Sequence, residues 1–311
     1  SQILVTSGIQ QAISLVASAY VVPGAAVVVE DPTYVVALDT FRASTADLVG
    51  VPVTPVGPDP AELRERLERT RAVFAYLVPT NQNPTGATVP DDARREIARI
   101  AVELGTPIVE DEALAGLEPP GAPTPRPIAA WAPDGPILSA GSLSKPAWGG
   151  LRVGWLRGPE TVITRLGRLK VLADYGSGVI DQAVAVRILD VLPQLQAERQ
   201  RLVAGTRELL GELLARHLPD WTWERSSGGI TAWIRIPVGD GSAFAQVALR
   251  HGVAVVPGSL LSVSGSHGDH IRIAFERPDR LDEGVRRLAA AWAAYREDLD
   301  EPVERRLAWV V

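Results

Sequence analysis

The stretch that decides the fold is Pro136-Ile137-Leu138-Ser139-Ala140-Gly141-Ser142-Leu143-Ser144-Lys145, with Arg152 seven residues further on. Pro136 to Gly141 reads as a short buried strand. Lys145 therefore falls just past a strand's carboxyl end, where open α/β sheets bind their ligands. Lys145 and Lys170 are the only lysines among 31 basic residues. Arginine supplies every other fixed positive charge. A lysine kept between Ser144 and Pro146 points to work that a guanidinium cannot do. A partly desolvated amine loses its proton and condenses with an aldehyde.

Working outward, Ile3-Leu4-Val5-Thr6 reads as a strand, Ser7-Gly8 as a turn, and Ile9, Ala12, Ile13, Val16, Ala17 and Tyr20 recur at helical spacing. A strand, a Ser-Gly turn and a helix start make an anion site from free backbone N–H groups and the positive dipole end. Gln10 adds a side-chain amide. An apolar strand over 26–29 ends in Glu30-Asp31-Pro32-Thr33-Tyr34, which leaves the Tyr34 ring able to stack on a flat heteroaromatic ligand. Helix is expected over 35–46, a proline-interrupted strand over 49–56 and a polar helix over 60–70. The strand over 72–78 runs into Pro79-Thr80-Asn81-Gln82-Asn83-Pro84-Thr85-Gly86, where Asn83 offers an amide. After an amphipathic helix over 90–104, a strand over 106–109 leads into Glu110-Asp111-Glu112. Three adjacent carboxylates are costly unless at least one finds a cationic partner.

Downstream, residues 118–136 read as loop and 151–156 as a strand with Arg152 near its start. Helices are expected over 159–175 and 181–216, the second long enough to bridge two lobes. From Trp221 the pattern changes to short strands over 221–223, 228–235, 252–256 and 270–275, with helices over 242–251 and 278–297. The reading is α/β with a central, mostly parallel sheet flanked by helices, plus a smaller C-terminal α+β domain. The expected division is a large domain over 1–180 and a bridging helix with the small domain over 181–311.

Composition narrows the function. A net charge of −6 and a pI near 5.4 argue against this segment gripping nucleic acid or an anionic membrane. No cysteine is present, so disulfides and thiolate metal sites are excluded, and the composition fits a reducing cytoplasm. No apolar run is long enough to span a bilayer. His267, Asp269 and His270 read as loop residues, and no metal site is expected. There is no methionine, even at position 1. The sequence reads as a fragment, truncated at the N-terminus, of a longer protein.

Five strand ends thus carry Ser7/Gly8/Gln10, Tyr34, Asn83, Asp111 and Ser142/Ser144/Lys145. With Asn83-Pro84-Thr85-Gly86, Ser142-x-Ser144-Lys145 and Arg152, the chain resembles the fold-type-I, pyridoxal-phosphate-dependent aminotransferases of class I/II from Ser7 to about Trp292. The resemblance implies the pyridoxal 5'-phosphate-dependent transferase fold and a homodimer acting on an amino acid and a 2-oxo acid. It implies that Lys145 forms the internal aldimine and later carries a proton. Asp111 would pair with the ring nitrogen, Asn83 with the phenolic oxygen, and Tyr34 would stack on the ring. Gly8, Ile9, Gln10, Ser142, Ser144 and Arg152 would hold the phosphate. Arg272, in Ile271-Arg272-Ile273, matches the arginine for the substrate carboxylate, with Asn83 also near the substrate. Leu114 departs from the family, which usually places a tyrosine there. Trp221 to Pro237 and Val253 to Ser264 also resemble the effector domain of MocR-type regulators of the GntR family. In that second reading the domain senses rather than turns over, and DNA is contacted by a segment ahead of this sequence.

Overall fold

The computed structural model describes residues 2–226 and 228–300. Ser227 and residues 301–311, the end of the expected small domain, lie outside the described residues.

Eight strands form one sheet: β1 (Ile3–Thr6), β2 (Ala26–Asp31), β3 (Asp47–Thr54), β4 (Gly57–Pro58), β5 (Phe74–Leu77), β6 (Ile108–Asp111), β7 (Ile137–Ser142) and β8 (Gly154–Arg157). Their order is β1-β8-β7-β6-β5-β2-β3-β4. The run β7-β6-β5-β2-β3 is parallel. The β8 strand is antiparallel to both its neighbours, and β4 is antiparallel to β3. A parallel sheet covered on both faces needs apolar residues on both sides of each strand. That explains the unbroken Val27-Val28-Val29 and Phe74-Ala75-Tyr76-Leu77, all fully buried. Val27, Val29, Phe74 and Tyr76 face one layer with α1 (Ile9–Tyr20), α2 (Val35–Ala43) and α5 (Glu160–Asp174). Val28, Ala75 and Leu77 face the other, against α3 (Pro60–Thr70) and α4 (Asp91–Leu104). Asp59 caps α3 by accepting from Ala61 N at 2.8 Å, with Pro60 in the first turn, where its missing N–H costs nothing.

The helix expected over 181–216 is two helices, α6 (Val179–Asp190) and α7 (Leu192–His217). They part at Val191, at φ −117° and ψ 10°. Pro193 lacks the N–H that would continue the ladder. Past α7 a second sheet, antiparallel throughout, has the order β11-β12-β10-β9, from β9 (Thr222–Trp223), β10 (Thr231–Arg235), β11 (Val256–Pro257) and β12 (His270–Ala274). It packs with α8 (Gly241–Arg250), α9 (Pro278–Asp300) and the last turns of α7 around Leu210, Leu214, Ile234, Phe244 and Trp292. The strand expected over 252–256 shrinks to β11. His270 begins β12, in line with the strand expected over 270–275, and its ring stacks on Trp233 at 4.8 Å. No described helix is long and apolar enough to cross a membrane.

One buried guanidinium ties the first sheet's loops together. Arg94 is fully buried and donates to Val89 O (2.7 Å), Pro79 O (2.7 Å), Thr80 Oγ1 (2.8 Å), Arg126 O (3.1 Å) and Glu112 Oε1 (3.3 Å). Arg94→Ala would strand these acceptors. It is expected to cost roughly 3 kcal/mol or more of stability, read from urea unfolding.

Candidate active site

A cavity of about 270 Å³ opens at the carboxyl ends of β5, β6 and β7 and is closed from the opposite side by β10 and β12. Of the residues singled out in the sequence, Ile9, Tyr34, Asn83, Asp111, Ser142, Ser144, Lys145 and Arg272 line it. Gly8, Gln10 and Arg152 do not. The Gln10 side chain turns away and donates to Thr40 Oγ1 at 2.7 Å, so its amide is not offered to the cavity. Arg152, expected near the start of a strand, precedes β8 in a left-handed conformation at φ 53°. Its Nη2 donates to Ser7 O at 2.7 Å. Gly8 lies against that guanidinium at φ 85°, where an added Cβ would come within 2.9 Å of Nη2. The first turn of α1 holds no acidic side chain and receives no side-chain cap. Its N–H groups therefore face a positive, anion-seeking corner. Ser142 and Ser144 sit beside it, with Ser142 Oγ donating to Ser144 Oγ at 2.9 Å.

The two lysines differ sharply. Lys170 is buried on α5, and its amine donates to Asp174 Oδ2 at 2.6 Å and Gln11 Oε1 at 2.9 Å, so its charge is spent on structure. Lys145 faces the cavity, and its Nζ lies 3.1 Å from Glu276 Oε2.

Asp111 ends β6 rather than sitting in a solvated turn, and it is 4% exposed. Its Oδ2 accepts from Tyr76 OH at 2.6 Å and its Oδ1 from Ala113 N at 2.9 Å. Burial pushes its carboxyl above the usual range, against the pull of those two hydrogen bonds. No described ion pair involves it. A cation inside the cavity is what this carboxylate lacks. Glu110 and Glu112 find other partners: Glu110 accepts from Ile128 N and Ala129 N, and Glu112 from Arg94.

The loop that presents Asn83 is shaped from behind. Gln82 Nε2 donates to Glu30 Oε2 (3.1 Å) and Pro32 O (2.7 Å), while its Oε1 accepts from Thr85 N (3.0 Å). Burial pushes Glu30 up to about 7. A carboxyl raised in the folded state adds no pH dependence below its unfolded pKa, near 4.5. Stability then falls as pH climbs toward 7 and levels off above it. Glu30→Gln is therefore expected to flatten the thermal midpoint between pH 5 and pH 8; a profile parallel to wild type would contradict this.

Arg272, on β12, reaches Asn83 Oδ1 with Nη1 at 3.4 Å, and its Nε is buried without a hydrogen-bond partner. Burial draws its pKa down. Leu114 lines the cavity with an aliphatic side chain. The sequence reading missed Tyr76, Glu276 and Arg199. Tyr76 sits mid-strand among apolar residues and carried no signal.

A pyridine aldehyde phosphate fits this donor set. The aldehyde end would meet Lys145, the ring nitrogen would supply the cation that Asp111 lacks, and the phosphate would meet the α1 terminus. Fold and cavity together define a pyridoxal-phosphate-dependent protein of fold type I. The profile of the family "Aminotransferase class I and II" matches residues 1–288, and the chain belongs to that family.

Similar sequences and a solved structure illustrate its range. A 2-aminoadipate transaminase of Thermus thermophilus is 32% identical over 93% of this chain and 75% of its own length. The crystal structure of an alpha-aminoadipate aminotransferase from the same organism, complexed with N-(5'-phosphopyridoxyl)-L-leucine, superposes with a TM-score of 0.88 at 29% identity. That match covers 94% of this chain and 77% of the other. The uncharacterized HTH-type transcriptional regulator YdfD of Bacillus subtilis is 33% identical over 93% of this chain but only 60% of its own length.

Proposed function

We propose that this chain carries out transamination between an amino acid and a 2-oxo acid, with pyridoxal 5'-phosphate held on Lys145. One observation carries the reading: Lys145 and Asp111, from different strand ends, face the same cavity. When bound, the cofactor supplies an electron sink for the charge left at the substrate Cα.

The chain's residues do the rest. Lys145 Nζ would hold the cofactor's aldehyde end and, once freed by the substrate amine, would serve as the base that takes the proton from the substrate Cα and carries it toward the cofactor. Asp111 would face the ring nitrogen and favour its protonated form, with Tyr76 and Ala113 fixing the carboxylate's orientation. Asn83 would hold the phenolic oxygen and Tyr34 would cover the ring. Gly8, Ile9, the backbone of Gln10, Ser142, Ser144 and Arg152 would anchor the phosphate. Arg272 takes the substrate carboxylate in a two-pronged contact. Val78, Leu114 and Ile230 give the cavity apolar walls that suit an uncharged side chain.

We take residues 1–180 as the cofactor domain and 181–311 as the bridging and small domain. The end of α5 and the outer face of α6 leave Leu172, Tyr175, Val179 and Ile180 at least 80% exposed. An apolar patch of that kind calls for a protein partner, and a second copy of this chain is the occupant we assign. Sedimentation at micromolar concentration is expected to give a dimer.

Similarity to the regulator keeps one rival in view, a domain that binds the cofactor and an amino acid without turnover. The test is spectroscopic. The holoprotein mixed with amino acids is expected to pass to the pyridoxamine form and release 2-oxo acid. A spectral shift with no 2-oxo acid released would favour the rival.

A further inference from the structure

Glu276 is the charged side chain in the cavity that the transamination reading leaves without a task. It lies four residues after Arg272, just past β12. Its Oε1 accepts from Arg199 Nη2, on α7, at 2.6 Å, and its Oε2 from Lys145 Nζ at 3.1 Å. Arg199 thus fixes one oxygen and leaves the other facing the lysine nitrogen. A lysine ammonium offers three N–H donors. Bonded to the cofactor carbon, that nitrogen keeps at most one. Loading the cofactor therefore strips Oε2 of most of its partner, in a side chain only 24% exposed. On the same wall stands Arg272, its buried Nε unpartnered. The charged groups facing Glu276 are Lys145, Arg199 and Arg272, and Arg272 feels its charge.

A free amino acid is a zwitterion whose two charges sit one carbon apart. We infer that Glu276 is the binding site for the α-ammonium group of the incoming amino acid, while Arg272 takes its carboxylate. The ammonium is parked beside the lysine nitrogen it must replace. A carboxylic acid without the amino group gains nothing from Glu276. The inference rests on the transaminase reading and adds an anionic subsite to it.

The test uses Lys145→Ala protein loaded with 4'-deoxypyridoxine 5'-phosphate, which carries a methyl group in place of the aldehyde and cannot react. Removing Lys145 frees Glu276 as cofactor loading does. Calorimetry compares L-leucine with 4-methylpentanoate, the same carbon skeleton without the amino group. L-leucine is expected to bind about tenfold tighter or more, the yield of one charged hydrogen bond. Adding Glu276→Gln is expected to erase that preference while 4-methylpentanoate binding changes less than about twofold. Equal binding of the two ligands before any change at 276 overturns the inference. So does binding of neither, or a preference that survives Glu276→Gln in folded protein. Failure to retain the cofactor analogue would sink the cofactor site itself, a separate result read before any ligand is added.

Discussion

Lys145→Ala is expected to abolish the visible band that the folded protein acquires with pyridoxal phosphate and to lower transamination by about 10⁴-fold. General acid–base groups of this kind typically supply 10²–10⁴ in rate. The upper end applies because the same nitrogen also tethers the cofactor. Lys170 cannot substitute. It sits on α5, 6% exposed at the side chain, with its amine bound to Asp174 and Gln11. Lys170→Arg should keep both the band and the activity, though with some loss of stability. A band that persists in Lys145→Ala would move the cofactor elsewhere.

Asp111→Asn should leave the fold and the lysine bond in place but cut turnover by about a hundredfold to a thousandfold, the usual loss when one preorganised electrostatic partner is removed. The amide Oδ1 still accepts from Ala113 N, and its Nδ2 donates to the Tyr76 hydroxyl, which turns to accept, so packing survives. What is lost is the charge that keeps the ring nitrogen protonated. KM for the amino acid should change much less than kcat. The effect on stability has the opposite sign. Asp111 is buried without a cation and its carboxyl is pushed up by that burial. The neutral amide is therefore expected to melt no lower than wild type in the cofactor-free protein. A variant that loses activity only because it unfolds would contradict this.

Much of this architecture was legible in the sequence because local pattern and site chemistry coincide in parallel sheets. Val27 to Val29, Ala75 to Leu77 and Ile137 to Leu138 are buried on both faces, so each strand read as an apolar run. Each run led, within a few residues, into a polar side chain expected at the site. Family spacing then linked Asn83, Asp111, Lys145, Arg152 and Arg272. What stayed hidden depends on distant contacts. Glu276 meets Lys145 across 131 positions, and Arg199 meets Glu276 across 77. Nothing near Glu276 in the sequence marks it as more than an exposed acid. Gln10 looked like an anion ligand because it opens a helix, but Thr40, 30 positions on, takes its amide. The strand expected to end at 109 continues through Asp111 and carries that carboxylate into the core. The long helix through 191 was a failure of periodicity. The apolar pattern continues across the break, and only Pro193 hinted at it.

The proposed transamination requires a covalent bond between the Lys145 amine and the cofactor, whose ring nitrogen would face Asp111. Reducing the pyridoxal-phosphate-loaded protein with borohydride and mapping the fixed label by mass spectrometry tests this directly. The label is expected on the peptide containing Lys145, in a yield close to one per chain, and Asp111→Asn should leave that yield nearly unchanged. A label found on Lys170, spread over both lysines, or absent from folded protein would contradict it.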